Sequence, residues 1–491
     1  MTGPLAGTMT STVRRVAVFI GILFVALIVN LNVIQVGQAN QYRNDNRNSR
    51  TIIEEYDHER GPILVVTNPV ARSVATKDRL KYLRTYDGGP SYAPSTGFYS
   101  IVYGRTGIER AENDILTGKD ARLFTRSVQD LLTGKEKRGG AVQLTINPAA
   151  QKAAYDGLTS KGLKGAVVAL EPSTGRILAI ASSPSFDPNA LSAHDTNAVR
   201  AAYEKLNSDP NQPMLNRPLA RTYAPGSVFK VVTTAAALSS GKYTPDTVIP
   251  APASIPLPGT SITLSNLGNR PCKGGSVTLT EALEVSCNTA FAQVGMAVGD
   301  DALRAQAEKF GFGSTFQVPM TAATSVFPPN LNQAQTAQAA IGQFDVRTTA
   351  LQMAMVAAAV ANQGVVMSPY LVDQLLAPDL SVLERSQPKE FGRAVTPDIA
   401  KQITDMMVNV VDNGTGKPGQ IPGVKVAGKT GTAQTSPGKP PNAWFISFAD
   451  ANDAKVAVAV VIEGGGDPGD EVTGGRLAAP VAKAVMEAVL R

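Results

Sequence analysis

The pattern of apolar and polar residues first singles out a long apolar stretch near the start of the chain, from Val16 to Val36. At about 21 residues, it is long enough to cross a hydrocarbon layer of ~30 Å as a helix. Arg14 and Arg15 precede it, and positive residues on that side favour an N-terminus inside the cell. We therefore expect a cytoplasmic tail over 1–15, a single-pass transmembrane anchor over 16–36 and a remainder outside the cell membrane.

A cleaved signal peptide is the alternative reading of this segment. Gly37, Gln38 and Ala39 form a small-x-small sequence of the kind that signal peptidases cut. The apolar span exceeds the usual length of a signal-peptide core, which favours an uncleaved anchor. Both readings place most of the chain outside the cytoplasm.

Between residues 37 and 140 the pattern is polar and rich in turns. Short strand-like runs occur at Ile63–Val66 and Val70–Ala75, and Arg60-Gly61-Pro62 is typical of a turn that enters a strand. No catalytic constellation stands out in this region. We expect 37–140 to form a mixed α/β, non-catalytic pedestal for docking or dimerisation.

From residue 141 onward, strand-like runs lie at both ends of the remaining sequence, with a mostly helical middle. The predicted strands are Val142–Ile146, Gly165–Leu170, Arg176–Ser182, Gly423–Ala427, Ala443–Phe448 and Val456–Glu463, and helices are predicted over Pro148–Gly157 and Ala478–Leu490. The turn-forming residues 171–175 separate two strands as a hairpin loop would. We therefore expect one α+β domain over 141–491, with a sheet built from both ends of the sequence.

Composition excludes several classes of function. The chain has 491 residues, 43% of them hydrophobic, and a net charge of +6. That length allows two or three domains. Lys and Arg are scattered without a basic run, which argues against nucleic acid as a partner.

Histidine and cysteine are scarce: only His58, His194, Cys272 and Cys287 occur. They form no cluster for a metal and no C-x-x-C redox pair, so we expect no metal site. Cys272 and Cys287 would close a loop of about 15 residues, for which a disulfide typically contributes ~3 kcal/mol. Two separate buried thiols are the alternative, and an exported location favours the disulfide.

Three short motifs carry the candidate chemistry. They are Ser227-Val228-Phe229-Lys230, Ser286-Cys287-Asn288 and Lys429-Thr430-Gly431. Each could arise by chance as a cap or a turn. Their joint occurrence in this order is the informative signal.

The local sequence around Ser227 supports a nucleophile on physical grounds. Pro225-Gly226 breaks the chain and the apolar run Val228–Leu238 then continues as a helix, so Ser227 should lie near a helix N-terminus, where N–H groups favour developing negative charge. Lys230 follows three residues later on the same face. Burial and a second cation, for which Lys429 is the candidate, would lower its pKa and let it accept the hydroxyl proton.

The three motifs resemble the active-site set of penicillin-binding proteins and serine β-lactamases. From about residue 140 to the end, the chain resembles the transpeptidase domain of class B penicillin-binding proteins, and its N-terminal region with Arg60-Gly61 is similar to the short class B proteins of actinobacteria. Further segments that carry this likeness are Gly165–Pro184, Asn216-Arg217, Tyr223-Ala224-Pro225-Gly226, Ile341-Gly342-Gln343 and Asn362-Gln363-Gly364. Two residues depart from the pattern: Ala224 stands where relatives usually have Pro, and Phe344 where many have Gly.

The resemblance implies a fold and a role for each motif residue. The fold is an antiparallel five-stranded sheet flanked by helices, with an all-helical subdomain. The implied roles are Ser227 as nucleophile, Lys230 as base, Ser286 as proton relay to the leaving amine, Asn288 as holder of the substrate amide, Lys429 and Thr430 as binders of the terminal carboxylate, Gly431 as the point of close backbone approach, and the N–H groups of Ser227 and Thr432 as the oxyanion hole.

The same resemblance implies a function in cell-wall synthesis without a cofactor. The expected reaction is serine-acyl D,D-transpeptidation between peptidoglycan stem peptides, at the division septum, with β-lactam antibiotics as covalent inhibitors. The expected partners are a membrane glycosyltransferase of the SEDS type and division proteins, because too few residues precede the transpeptidase region for a glycosyltransferase domain.

Three alternative functions remain open on this fold. A class A β-lactamase would need a Glu between the second and third motifs, whereas the similar Glu204-Lys205-Leu206-Asn207 precedes Ser227. A D,D-carboxypeptidase would use the same residues with water as acceptor. A β-lactam sensor or division scaffold would not turn over substrate, and the short segment before the apolar span leaves little room for a cytoplasmic signalling domain.

Overall fold

The computed structural model describes residues 6–38, 55–123, 138–434, 439–449, 455–465 and 474–491. The helix α1, Ala6–Asn32, runs on into a π-helical turn over Val33–Gly37. Its apolar part, Val13–Gly37, is 25 residues long, and none of it is buried against the rest of the chain. A helix of that length rises about 37 Å. The chain therefore contains a helix at the predicted place that is long and apolar enough to span a bilayer. Ala39, in the alternative cleavage site, and residues 1–5 of the expected tail lie outside the described residues.

The other elements follow in chain order. Up to residue 208 they are β1 (Ile63–Val65), β2 (Asn68–Ala75), β3 (Tyr82–Thr85), α2 (Gly89–Thr96), β4 (Tyr99–Ser100), β5 (Gly104–Arg105), α3 (Gly107–Ala111), α4 (Asn113–Leu116), β6 (Ala141–Leu144), α5 (Pro148–Thr159), β7 (Gly165–Leu170), β8 (Ile177–Ser183), α6 (Asn189–Ser192) and α7 (Thr196–Ser208). The middle contains α8 (Arg217–Ala220), α9 (Lys230–Ser239), β9 (Val248–Pro250), β10 (Ser254–Pro256), β11 (Thr263–Ser265), β12 (Ser276–Thr278), α10 (Leu279–Glu284), α11 (Asn288–Val298), α12 (Asp300–Lys309), α13 (Gln333–Ala340) and α14 (Ala350–Ala361). The last set is β13 (Val365–Met367), β14 (Val372–Leu376), β15 (Val382–Arg385), β16 (Glu390–Arg393), α15 (Pro397–Asp412), β17 (Val426–Ala433), β18 (Asn442–Ala449), β19 (Val456–Ile462) and α16 (Ala479–Leu490).

A six-stranded sheet joins the N-terminal region to the rest of the chain, in the order β15–β14–β6–β1–β2–β3. β1 pairs in parallel with β6, and β14 pairs antiparallel with β6. The two outermost strands on one side, β14 and β15, therefore come from far along the sequence. Close approach of backbones near β1 requires glycine, because a Cβ built at Gly61 would lie 1.7 Å from the Gly140 carbonyl oxygen.

Buried charges hold the N-terminal region together around Glu109. Its two carboxylate oxygens each accept a hydrogen bond of 2.6 Å, one from Arg60 Nε and one from Arg84 Nε. All three side chains are almost completely buried. Burial alone would raise the pKa of Glu109, but the guanidinium groups of Arg84 and Arg60 outweigh it and hold that pKa below its usual value. The carboxylate therefore stays charged, and Arg60 of the Arg60-Gly61 segment has a structural role.

The second sheet confirms the predicted α+β architecture. It has five antiparallel strands in the order β17–β18–β19–β7–β8, so strands from both ends of the sequence pair through β19 and β7. Every residue of β7, β18 and β19 is buried, as expected for strands covered on both faces. Helices α5 and α16 pack on one face, and the largely helical middle, with α9 and α14, packs on the other.

The predicted bounds of one strand were wrong in a way that affects the site. We expected a strand over Gly423–Ala427 followed by the Lys429-Thr430-Gly431 motif. The strand β17 instead spans Val426–Ala433, so the motif lies within it and pairs along its whole length with β18. Local strand propensity placed both ends of this strand too early, because pairing with β18 rather than the local sequence sets where it ends.

Candidate active site

Ser227 lies in a tight 3₁₀ turn over Gly226–Phe229, which continues directly into α9. We call residues 226–229 the serine turn. Gly226 has a φ of 55°, and a Cβ built there would lie 2.7 Å from the Thr432 carbonyl oxygen. The Gly226 N–H donates to the Gly342 carbonyl at 2.8 Å. The serine turn is thus pressed between β17 on one side and the segment after α13 on the other, and this position requires glycine at 226.

Gly431 has a packing reason to be small, beside the expected approach of a substrate, which stays a prediction. We expected a glycine there to let a substrate approach the backbone. In the structure a Cβ at Gly431 would lie 3.0 Å from Val228 Cγ1 and 3.1 Å from the Val228 nitrogen. The neighbour that approaches Gly431 is therefore the serine turn itself. Its neighbour Thr432 pairs with Ala443, one pair before the end of the β17–β18 ladder.

The second motif sits at a strained junction between two helices. α10 begins with a capping box, in which Thr278 and Glu281 bond each other's backbone N–H groups, and it ends just before the motif. Ser286 then adopts a φ of 59°, which is rare for a residue with a side chain. Cys287, between the two motif residues, forms a disulfide with Cys272. Strain of this kind often occurs at functional sites, and here α10, α11 and the disulfide hold it in place.

The two motif lysines meet at Ser286. The Lys230 nitrogen lies 3.1 Å from Ser286 Oγ, and the Lys429 nitrogen lies 2.9 Å from the same oxygen. Lys230 also donates to the Ser286 carbonyl and to Asn288 Oδ1, each at 2.7 Å, and Lys429 donates to the Thr430 carbonyl at 2.9 Å. Both lysines are fully buried. The structure therefore joins residues of all three motifs in one hydrogen-bonded cluster.

Thr415 is a site residue that the sequence reasoning missed. Its hydroxyl lies 2.6 Å from the hydroxyl of Thr430, in the third motif. The loop that carries it packs against the end of α10, since a Cβ at Gly414 would lie 2.3 Å from the Glu284 carbonyl oxygen. The glycines that flank Thr415 in the sequence were the available signal, because they indicate a close backbone approach.

A second missed set holds the segment before the nucleophile. The Tyr223 hydroxyl donates to Glu463 Oε1 at 2.9 Å, and the same oxygen accepts from Arg217 Nε at 3.1 Å. Trp444 Nε1 donates to the Ala224 carbonyl at 3.1 Å. Burial, and then the Glu463 carboxylate, raise the pKa of Tyr223 well above its usual range, so its hydroxyl remains a donor. These contacts fix the chain three residues before Ser227.

Removing the Tyr223 hydroxyl should therefore both slow acylation and destabilise the fold. We expect Tyr223→Phe to lower the second-order rate constant for acylation by benzylpenicillin about tenfold. It should lower stability by ~1.5–3 kcal/mol, the usual value of a hydrogen bond to a charged group. Gel-based acylation kinetics and thermal unfolding would measure both. Tyr243→Phe, at a partly exposed tyrosine just beyond α9, is the control. Acylation of Tyr223→Phe at the wild-type rate would contradict the prediction.

The structure also accounts for one departure from the family pattern. Phe344, which stands where many relatives have glycine, has a φ of 59°. Its carbonyl accepts a hydrogen bond of 3.0 Å from Arg347 Nη1. This chain therefore keeps the left-handed turn that glycine favours, at a cost of about 1–2 kcal/mol. The structure offers no comparable reason for Ala224.

Comparisons with known proteins agree with this geometry. Residues 165–487 match the family model described as the penicillin binding protein transpeptidase domain, and residues 60–142 match the penicillin binding protein A dimerisation domain. The chain is 47% identical to the peptidoglycan D,D-transpeptidase PbpA of Mycolicibacterium smegmatis, over 98% of this chain and 99% of the relative. It is 45% identical to PbpA of Mycobacterium tuberculosis, with coverage of 98% and 99%.

Solved structures give the same result. The crystal structure of PBPA from M. tuberculosis superposes with a TM-score of 0.86 at 46% identity, covering 89% of this chain and 100% of that one. Structures of the same M. tuberculosis protein as acyl-enzyme complexes are also similar, each at 45% identity. The imipenem complex has a TM-score of 0.86 and covers 89% of this chain and 100% of that one. The penicillin G complex has a TM-score of 0.85 and covers 88% of this chain and 100% of that one. The chain therefore belongs to the class B penicillin-binding protein transpeptidases.

Proposed function

We propose that this chain is a membrane-anchored peptidoglycan D,D-transpeptidase whose nucleophile is Ser227. The observation that carries the proposal is the meeting of Lys230 and Lys429 at one hydroxyl oxygen, Ser286 Oγ, beside the serine turn. Two lysines so close repel each other when both are protonated, which favours an arrangement in which one of them is neutral. A neutral buried lysine next to a serine is the arrangement that activates a hydroxyl for attack.

The hydrogen bonds around Lys230 fit a neutral amine. Two of its acceptors, the Ser286 carbonyl and Asn288 Oδ1, can only accept, and they account for two N–H groups. Lys230 also contacts the Ser286 hydroxyl, which can either accept or donate. Lys230 and Ser286 can therefore exchange a proton without breaking the cluster, which supports Ser286 as the relay.

The reaction then proceeds in two balanced steps. Ser227 Oγ attacks the carbonyl carbon of the penultimate D-Ala, its proton passes to Lys230, and the N–H groups of Ser227 and Thr432 stabilise the oxyanion. The C–N bond breaks, and the leaving D-Ala amine takes a proton through Ser286. An acceptor amine then attacks the acyl ester, loses a proton to the cluster and restores the Ser227 hydroxyl.

Charge and hydrogen bonding at the third motif fit the terminal carboxylate of the donor peptide. Lys429 supplies a buried positive charge, and Thr430 presents a hydroxyl already paired with Thr415. Either hydroxyl of this pair can be the donor, and when Thr415 donates, the Thr430 hydroxyl becomes a better donor to a carboxylate. Asn288 holds the donor's amide, and β-lactams enter as mimics of the donor that remain at the acyl stage.

We further propose that the enzyme is anchored in the cell membrane by its N-terminal helix. Residues 1–15 lie in the cytoplasm, 16–36 anchor the chain in the cell membrane, 37–140 form a dimerisation or pedestal domain, and 141–491 form the extracytoplasmic transpeptidase domain. The likeness to short class B proteins of actinobacteria supports a septal role with a SEDS-type glycosyltransferase and division proteins as partners.

Covalent labelling tests the nucleophile. The purified full chain in detergent is incubated with a fluorescent penicillin, digested and analysed by mass spectrometry. We expect a single stable adduct on the peptide that contains Ser227. No covalent label would contradict the proposal, and rapid loss of the label would indicate a β-lactamase.

Partition of the acyl-enzyme separates a transpeptidase from a carboxypeptidase. A peptide ending in D-Ala-D-Ala is supplied together with increasing concentrations of an amine acceptor such as glycine, and both products are quantified. We expect the transfer product to rise at the expense of the hydrolysis product. Hydrolysis alone at every acceptor concentration would indicate a carboxypeptidase.

A further inference from the structure

A basic cavity of 510 Å³ lies beside the serine turn, at the end of β17. Four cationic side chains line it: Lys164, Arg221, Arg347 and Lys439. Among the described residues that line the cavity, Glu463 is the one carboxylate. The lining therefore carries an excess of positive charge.

Glu463 does not balance this charge, because other groups already engage it. Its Oε1 accepts from the fully buried Arg217 at 3.1 Å and from Tyr223 at 2.9 Å. Lys164 and Arg221 lie farther from this carboxylate: Lys164 Nζ is 3.4 Å from Glu463 Oε2, and Arg221 Nε is 3.9 Å from Glu463 Oε1.

Arg221 and Arg347 remain 42% and 44% exposed. Arg221 Nη1 donates to Gln212 Oε1 at 2.9 Å, and Arg347 lies 3.7 Å from Asp345 at the surface. A ligand carboxylate can compete for both at these exposed positions.

The cavity adjoins the path that a bound peptide would follow. Ala224, three residues before Ser227, and Gln434, two residues after Thr432, both line it. β17 is the edge strand of its sheet, so an extended peptide can pair with it as an added strand. Such a peptide, with its terminal carboxylate at Lys429 and its reacting carbonyl near Thr432, runs antiparallel to β17. At about 3.3 Å per residue, the residues just before the reacting D-Ala lie level with Ala433 and Gln434, at the cavity.

We propose that this cavity is an anion subsite that binds a carboxylate carried by the donor peptide on the N-terminal side of the reacting bond. The inference rests on the proposed function, which supplies the direction of the peptide. Arg221 offers the planar pair of N–H groups that binds a carboxylate through two hydrogen bonds, and Lys439 adds a second charge. The subsite selects donors by charge at a position that does not react.

Competition with penicillin tests the subsite. Two peptides X-D-Ala-D-Ala, identical except that the side chain of X ends in a carboxylate or a carboxamide, compete with fluorescent penicillin for the full chain. We expect the carboxylate peptide to compete at about fivefold lower concentration, a usual effect of a partly exposed ion pair. Raising the salt concentration should reduce that ratio.

Matched variants identify the residues. Arg221→Gln and Lys439→Gln should each bring the ratio close to one, whereas Lys242→Gln, at an exposed lysine beyond the far end of α9, should keep the wild-type ratio. Three results would overturn the inference. The two peptides could compete equally for the wild-type chain, neither peptide could compete at all, or the ratio could stay unchanged in both Arg221→Gln and Lys439→Gln. If penicillin itself leaves no adduct on Ser227, the proposed function fails instead, so the two failures are distinguishable.

Discussion

Replacing Lys230 with methionine should lower the rate constant of acylation by benzylpenicillin by a factor of about 10³, as removal of a general base typically does. Lys230 is fully buried, and its nitrogen contacts two residues of the second motif, Ser286 and Asn288. Methionine fills a similar volume and removes the amine, and with it the group that would accept the Ser227 proton. Stability should fall by only ~2 kcal/mol, because two acceptors lose their donor.

Two controls make the Lys230 result specific. Lys242→Met changes a lysine beyond the other end of the same helix and should acylate at the wild-type rate. Lys230→Arg places a guanidinium there that stays protonated at neutral pH and cannot accept the serine proton, so it should be as slow as Lys230→Met. Acylation within tenfold of wild type in Lys230→Met would mean that another group takes the serine proton.

Gly342→Ala should have the second-largest effect, on both stability and acylation. Gly342 has a φ of 73°, and a Cβ there would lie 2.1 Å from the Gly226 carbonyl oxygen. That contact is with backbone, so either the serine turn or the segment after α13 must move, and the hydrogen bond from Gly226 N–H to Gly342 would be lost. We expect a loss of ~3 kcal/mol in stability, the upper end of the usual cost of overpacking, and a fall of about 10² in acylation rate.

Gly241→Ala separates the steric effect from backbone strain. Gly241 has a φ of 70°, but no atom lies within 4 Å of a Cβ built there. It should therefore cost only ~1 kcal/mol, the usual penalty for alanine at positive φ, and leave acylation unchanged. Thermal unfolding and penicillin acylation of both variants provide the comparison. Equal effects of the two substitutions would show that the close approach at the serine turn is unimportant.

The local sequence alone predicted most of the elements that carry the site. The breaking pair Pro225-Gly226 before an apolar run predicted the turn and helix at Ser227, because these signals act over a few residues. The alternation of strand and turn residues predicted β7, β8 and β19 and the hairpin between the first two. The order of the three motifs, recognised as a family pattern, predicted the fold and the set of residues that the structure brings into one cluster.

Tertiary packing decided the features that depend on residues far apart in the chain. Lys429 reaches Ser286 across 143 residues, and Tyr223 reaches Glu463 across 240. Periodicity shows which face of an element is buried but not which distant side chain it meets. For this reason Glu463 carried no recognisable signal, and the glycines beside Thr415 indicated a close backbone approach without showing that its partner is Thr430.

The same limit explains the wrong bounds of β17 and the role of Gly431. Strand pairing with β18 extends β17 through the third motif, and neither partner strand alone determines that pairing. By itself the sequence determined the elements, the motif residues and the membrane-length helix, because these follow from short-range propensity, apolar length and residue chemistry. Only the tertiary structure decided that Lys230 and Lys429 share Ser286, that glycines press the serine turn against β17, and that a basic cavity opens beside it, because these depend on how distant segments pack.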